Sequence, residues 1–297
     1  MSRRGWLLFV AMAFIWGIPY LLIKIAVAEI SPITLVFART ALGALLLLPL
    51  ALARGGFRPL LARWPILLLY TSVEVAIPWV LLSHAETRLS SSLSGLLIAG
   101  VPLVSALVLW VLGWSDRPDL RRILGLLLGF AGVAALVGLD VSADDLLAVV
   151  EVGLVVIGYA LGTIIIVRMR DLPSVSVIVA SLAITAAVYA PFGLTQLPTH
   201  APSPQAIAAV IGLGVICTAL GFIVYFALVG EVGPNRATVI TYFNPAVAIA
   251  LGVLVLHETL TVGIAIGFVM IVLGSFVATG RSTHAVETPP LREREPA

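Results

Sequence analysis

The stretch LLLYTSVEVAIPWVLL, residues 67 to 82, holds one carboxylate, Glu74, in a run otherwise suited to lipid. An acid at the centre of a membrane helix costs about 2.5 to 3.5 kcal/mol on the insertion scale, so Glu74 must face protein or water. Tyr70 stands one turn earlier on the same face, Thr71 and Ser72 add hydroxyls, and Pro78 has no N–H to donate to the carbonyl of Glu74. Carboxylate, phenol and freed carbonyl together could bind a substrate ammonium or carry a coupling proton. In FIWGIPYLLIK, residues 14 to 24, Trp16, Tyr20 and Lys24 recur every four residues, which lays an aromatic stripe ending in a cation. Such a wall suits an organic molecule with a carboxylate, and Glu74 with Lys24 would read the two ends of a zwitterion beside Trp16 and Tyr70. Tyr159 and Thr163, and further on Thr241, Tyr242 and Asn244, are expected to complete a polar substrate site.

Prolines mark where the elements around that site can bend. Pro78, Pro102 and Pro245 each leave a carbonyl four residues back without its helical partner, so they are the expected hinges. Arg39 is expected to be structural, paired with an acid such as Glu151 or with helix-end carbonyls. No catalytic constellation competes with this reading. His257-Glu258 lacks a second histidine four places on, no GxxxxGK[ST] is present, and Cys217 has no histidine partner in view. We therefore expect no enzyme, no metal and no cofactor.

These residues must be positioned by helices in lipid. Of 297 residues 61% are hydrophobic and 11% charged, against about 25% charged in a soluble domain, and the mean hydropathy is +1.15. A bilayer core needs about 20 apolar residues per helix. Ten runs fit, near 5–28, 32–53, 64–83, 90–112, 121–139, 146–167, 174–197, 205–228, 236–255 and 259–279. The first has no cleavage site followed by a soluble domain, so it is expected to be retained. Arg3, Arg4, Arg54, Arg58, Arg63, Arg117, Arg121, Arg122, Arg168, Arg170, Arg236, Arg281, Arg292 and Arg294 lie at one side. Arg88 is the exception, in a loop on the side that carries Glu29, Glu86, Asp140, Asp144 and Asp145. The positive-inside rule then puts both termini in the cytoplasm and the protein in the cell membrane, and this use of basic residues excludes nucleic acid as a partner. The polar tail, 280–297, has no apolar face and is expected to be disordered.

The chain also repeats itself. At an offset of 143 residues Pro102 falls on Pro245, and at 142 Pro49 falls on Pro191, Gly125 on Gly267 and Gly132 on Gly274. Five spans per half is an odd number, so the halves, 5–139 and 146–279, insert with opposite orientation. That is the inverted-repeat plan of many secondary transporters, in which the halves exchange roles as gates. The expected fold is an all-α integral membrane protein of ten transmembrane helices in two inverted five-helix repeats. Gly125/Gly129 and Gly263/Gly267 have GxxxG spacing in spans five and ten, for close contact within the chain or in a homodimer.

Four stretches carry a resemblance: FIWGIPYLLIK, SPITLVFART (31–40), IPWVLLSHAETRLSSSLSGLLIAGVPLVSAL (77–107) and FNPAVAIALGVLVLHETLTVGIAIGFVMIVLGS (243–275). The sequence resembles the drug/metabolite transporter superfamily, in its branch of two EamA-type repeats, over residues 5 to 279. The resemblance implies a central cavity lined by spans 1, 3, 4, 6, 8 and 9, with spans 5 and 10 peripheral, and export of small organic metabolites. The glutamate that closes a repeat in that family stands here as Glu258, whereas the first half has Ser115-Asp116. Amino acids or related compounds are the expected substrates. The alternatives are a drug or hydrophobic cation, which would need Glu74 but not Lys24, and a passive metabolite channel.

Overall fold

A computed structural model describes residues 1–112, 119–233 and 237–279. Ser115-Asp116, Arg117, Arg236, Arg281, Arg292, Arg294 and the tail 280–297 lie outside the described residues. Among the described residues nine helices are long and apolar enough to cross a membrane and a tenth is shorter: α1 (Arg3–Val27), α2 (Pro32–Ala53), α3 (Trp64–Ala85), α4 (Ser91–Val111) and α5 (Leu120–Asp140). They continue with α6 (Ala143–Met169), α7 (Ser174–Thr195), α8 (Pro204–Val232), the shorter α9 (Val239–Val255) and α10 (Val262–Thr279). Among the described residues no strand occurs, as continuous apolar runs of this length require.

The chain starts its helices with local chemistry. Ser31 caps α2, its hydroxyl accepting from the Thr34 amide at 3.2 Å, with Pro32 at the first position, where a missing N–H costs nothing. Ser90 caps α4 in the same way through the Leu93 amide at 3.1 Å. After α9, His257 takes a φ of 55°, a left-handed turn that reverses the chain and brings Glu258 back onto the start of α4. There its carboxylate accepts from the amides of Ser91 at 2.7 Å and Ser92 at 3.0 Å and from the Ser92 hydroxyl at 2.5 Å. A negative group at the positive end of α4 is favourable. Glu258 is therefore a helix cap that ties α9 to α4.

Helix pairing follows the repeat. α2 packs on α7, α4 on α9, α5 on α10, α1 on α8 and α3 on α6. Glycines allow the closest of these contacts. Gly125, Gly129 and Gly132 of α5 face Gly274, Ile271 and Ala278 of α10, backbone against backbone. The GxxxG spacing thus serves contact inside one chain. α5 is the least buried of the nine long spans, which fits a peripheral place.

Irregular backbone recurs at matched positions. Residues Ser72–Ala76 of α3 and Leu213–Leu220 of α8 are π-helical, and 72–76 displaced by 143 falls on 215–219. In α3 the cause is Pro78: with no N–H for the carbonyl of Glu74, the ladder slips to five-residue bonds and the Ile77 amide reaches Ser72. In α8 the Thr218 hydroxyl bonds the Leu213 carbonyl at 2.8 Å inside a glycine-flanked stretch. α4 breaks at Ala99–Gly100 and resumes at Val101–Pro102, while α9 opens with a 3₁₀ turn, Thr238–Tyr242, before Asn244–Pro245. The break also divides α4 by burial: Ser91 to Leu97 are all buried, whereas in Val101–Val111 Leu103 alone is. α4 is therefore tightly enclosed before its break and more open after it.

Candidate functional site

Glu74 sits on the π-helical turn of α3, and α6 makes room for it. Gly158 lies against the carbonyl of Val73 and Gly162 against the Glu74 carboxylate, so any side chain at 162 would occupy the place of Oε2. That oxygen is sealed from solvent with no hydrogen-bond partner, although the residue as a whole keeps intermediate exposure. The carboxylate therefore stands at the edge of accessible space, wedged between two helices. Tyr70, Tyr159 and Tyr225 all lie close enough to feel its charge. Trp16 of α1 rests on Gly221 and faces Tyr225 at a centroid separation of 4.9 Å, with Phe222 edge-on at 6.0 Å. A carboxylate within electrostatic reach of several tyrosines is suited to a cationic ammonium group.

The neighbouring hydroxyls are spent elsewhere. Thr71 bonds Ser181 of α7 at 2.9 Å, and Ser72 bonds back to the Leu68 carbonyl at 2.9 Å, so neither serves Glu74 as expected. The Tyr189 hydroxyl donates to the Ala76 carbonyl at 3.2 Å and satisfies part of the irregular backbone.

The structure does not bring Lys24 to Glu74. Its Nζ donates to the carbonyls of Glu86 at 2.7 Å and Leu89 at 2.8 Å, closing the turn between α3 and α4. Glu86 lies twelve residues beyond Glu74, about 18 Å along a helix, far more than an amino acid spans. The pair cannot read both ends of one zwitterion. Hydrogen bonds from a charged donor are worth about 1.5 to 3 kcal/mol each in context. Lys24→Met is accordingly expected to lower unfolding stability by about 2 kcal/mol in a thermal or denaturant melt.

Arg39 does not pair with Glu151, which instead accepts from His84 Nδ1 at 2.9 Å. It is 8% exposed, its guanidinium lies 3.7 Å from the centroid of the Trp79 ring, and its Nε donates to Thr218 Oγ1 at 3.1 Å. Tyr20, Tyr159, Cys217 and Glu86 surround it electrostatically.

The remaining expected contacts divide. Tyr20 is buried against Gly95 of α4 and lies near Tyr159 and Glu86, inside the bundle. Asn244 faces the carbonyls of Ile240 and Ala13, which assigns its amide nitrogen to that side as donor and joins α9 to α1. Thr241 is half-buried near the same turn. Tyr242 points away: its hydroxyl meets Thr279 Oγ1 at 2.6 Å and its ring meets Phe276, so it secures α10. Thr163 is exposed, and its hydroxyl bonds the Ala160 carbonyl of its own helix at 2.7 Å. Tyr242 and Thr163 are thus engaged in helix contacts rather than gathered around Glu74.

Sequence reasoning missed four features. Gly158 and Gly162 share a helix face four residues apart, a signal that was available but did not name the partner. Tyr225 and Trp79 were two aromatics among many. Glu86 reads as a loop acid, yet it is 0% exposed and neither carboxylate oxygen has a hydrogen-bond partner. The loop acid Glu29 behaves differently. Its carboxylate accepts from the hydroxyl and amide of Ser203, which hold it below the ordinary carboxylate range.

Comparison with known proteins places these features in context. The profile of the EamA-like transporter family matches residues 3–138 and again residues 147–280. The uncharacterized transporter YvbV of Bacillus subtilis (strain 168) is 26% identical over 278 residues, 91% of this chain and 90% of that protein. The uncharacterized inner membrane transporter YedA of Escherichia coli (strain K12) is 28% identical over 263 residues, 84% of this chain and 82% of its own. A protein of known crystal structure, 21% identical, superposes over 94% of this chain and 98% of its own with a TM-score of 0.68, which shows a shared fold.

Proposed function

Because the chain belongs to the EamA-like transporter family, we propose that it is a secondary transporter that exports small organic metabolites, of the class of amino acids and related compounds, by alternating access. The observation that carries this reading is the carboxylate of Glu74 on a π-helical turn, sealed on one side by Gly162 and within electrostatic reach of tyrosines. Irregular backbone at membrane depth is tolerated where it lines a cavity or finds protein partners. Its pairing with a second π-helical stretch in α8, and with breaks in α4 and α9 beside Pro102 and Pro245, supports two five-helix halves that rock against each other. Pro78 sets the third bend. The unequal burial of the two halves of α4 fits a state closed at the Glu86 end and open at the other. With both termini in the cytoplasm, the open end faces inward, where an exporter loads.

The test is flux of a labelled amino-acid panel through purified protein in liposomes, with and without an imposed proton gradient. Selective movement of some amino acids, changed at least threefold by the gradient, is the expected result. Silence from folded protein would sink the amino-acid assignment and leave family membership untouched. A second reading, export of a hydrophobic cation, draws on the aromatic wall of Trp16, Phe222 and Tyr225 beside Glu74. A lipophilic quaternary ammonium in the same panel separates the two.

A further inference from the structure

The amino-acid reading leaves the substrate carboxylate without a partner once Lys24 is tied to the turn after α3. Among the described residues Arg39 is a second cation buried inside the bundle. Its Nε is held by Thr218, its face is stacked on Trp79, and among the described residues its two Nη groups make no hydrogen bond. A guanidinium offers parallel donors that match a carboxylate, and stacking plus one anchoring bond leaves that fork fixed in direction. Trp79 lies five residues beyond Glu74, an axial offset of about 8 Å, against about 18 Å for the carbonyl that holds Lys24. Two ion-pair contacts and the short spacing between ammonium and carboxylate in an α-amino acid fill the smaller gap and not the larger. Tyr159 lies within electrostatic reach of both Glu74 and Arg39. The paired π-helices present the two groups: the stretch in α3 carries Glu74, and the stretch in α8 carries the hydroxyl that aims Arg39.

We propose that Arg39 binds the carboxylate of a zwitterionic substrate whose ammonium is taken by Glu74, so that the fork on Trp79 selects amino acids over the corresponding amines. This rests on the amino-acid reading above. The rival for the guanidinium is Glu86, a buried carboxylate within electrostatic reach of Arg39 and without a hydrogen-bond partner.

The experiment is binding of labelled leucine, phenylalanine and lysine, and of the three matching decarboxylated amines, to the purified full chain by scintillation proximity. Wild type is expected to prefer at least one amino acid over its amine by tenfold or more. Arg39→Gln should abolish that preference while amine binding stays within threefold. Arg39→Lys, which keeps the charge and loses the fork, should restore part of it, and Lys24→Met should leave it unchanged. An intact preference in Arg39→Gln, or one lost in Lys24→Met instead, would overturn the role given to Arg39 and spare the amino-acid reading. Wild-type protein that binds none of the six ligands would overturn both together. If Arg39→Gln does not fold, Thr218→Val decides, because it removes the hydroxyl that aims the guanidinium and keeps the shape that fits beside Gly43. A threefold fall in preference is expected there, and no change would again overturn the proposal.

Discussion

Glu74→Gln is expected to lower transport about a hundredfold without loss of folded protein. Truncating one partner of a buried, hydrogen-bonded charge pair costs about 2 to 5 kcal/mol, and each 1.4 kcal/mol is tenfold, so a hundredfold loss sits at the low end of that range. Stability should hold because the carboxylate has no protein partner to lose: Oε2 is sealed with no hydrogen bond, and glutamine occupies nearly the same volume against Gly162. A neutral amide in place of an unpaired buried acid is neutral or stabilising. Glu74→Asp should give an intermediate rate, since one methylene fewer withdraws the carboxylate from the tyrosines. Initial-rate flux in liposomes, beside a thermal melt of the same preparation, checks both halves. Full transport by Glu74→Gln would mean that the acid neither meets substrate nor carries a proton, and the site would have to be sought elsewhere in the bundle.

Gly274→Leu should destabilise the protein by about 3 kcal/mol or more and sharply cut the folded yield. A Cβ at 274 would land on the backbone of Gly129 and on the carbonyl of Gly125, and backbone cannot rotate aside as a side chain can. α10 and α5 would have to part along their whole contact, which puts the cost at or above the usual 1 to 3 kcal/mol of overpacking. In lipid, separated helices recover no hydrophobic gain, because the tails are as apolar as leucine and close van der Waals contact is what holds the pair. Gly138, also in α5, is the control: a methyl there meets nothing within 4 Å. Gly138→Ala should stabilise by up to about 1 kcal/mol through helix propensity. Equal melting of the two variants would show that the glycine seam between α5 and α10 contributes little.

The candidate site was legible in part, and the divide is physical. Glu74 could be found because a single acid in an apolar run violates a strong rule, and Pro78 announced the irregular turn that carries it. Trp16 and Tyr20 followed from a stripe of one period on one helix. Lys24 stands on the stripe that the sequence predicts, but its partners are the carbonyls of the turn after α3. A long flexible side chain near a helix end can reach toward the site or toward the next turn, and the decision lay with carbonyls sixty residues away. Arg39 reads as structural, paired with an acid or with helix-end carbonyls, yet Glu151 is held by His84, and Arg39 meets Thr218 and Trp79 instead.

By itself the sequence determined the number and order of the spans, because apolar run length is set by bilayer thickness. It determined where helices bend, because proline lacks an N–H wherever it stands. It also determined that some acid must face the interior. Only the tertiary structure decided which polar groups meet. For a helix in lipid, facing a neighbour and facing the bilayer are both apolar, so the periodicity that reveals a buried face in water is weak here. That Gly162 cradles Glu74, that Trp79 stacks on Arg39, that Glu86 is sealed and that Tyr242 turns to α10 all depend on contacts between distant helices. No local pattern encodes such contacts, because each depends on the azimuth at which two spans pack.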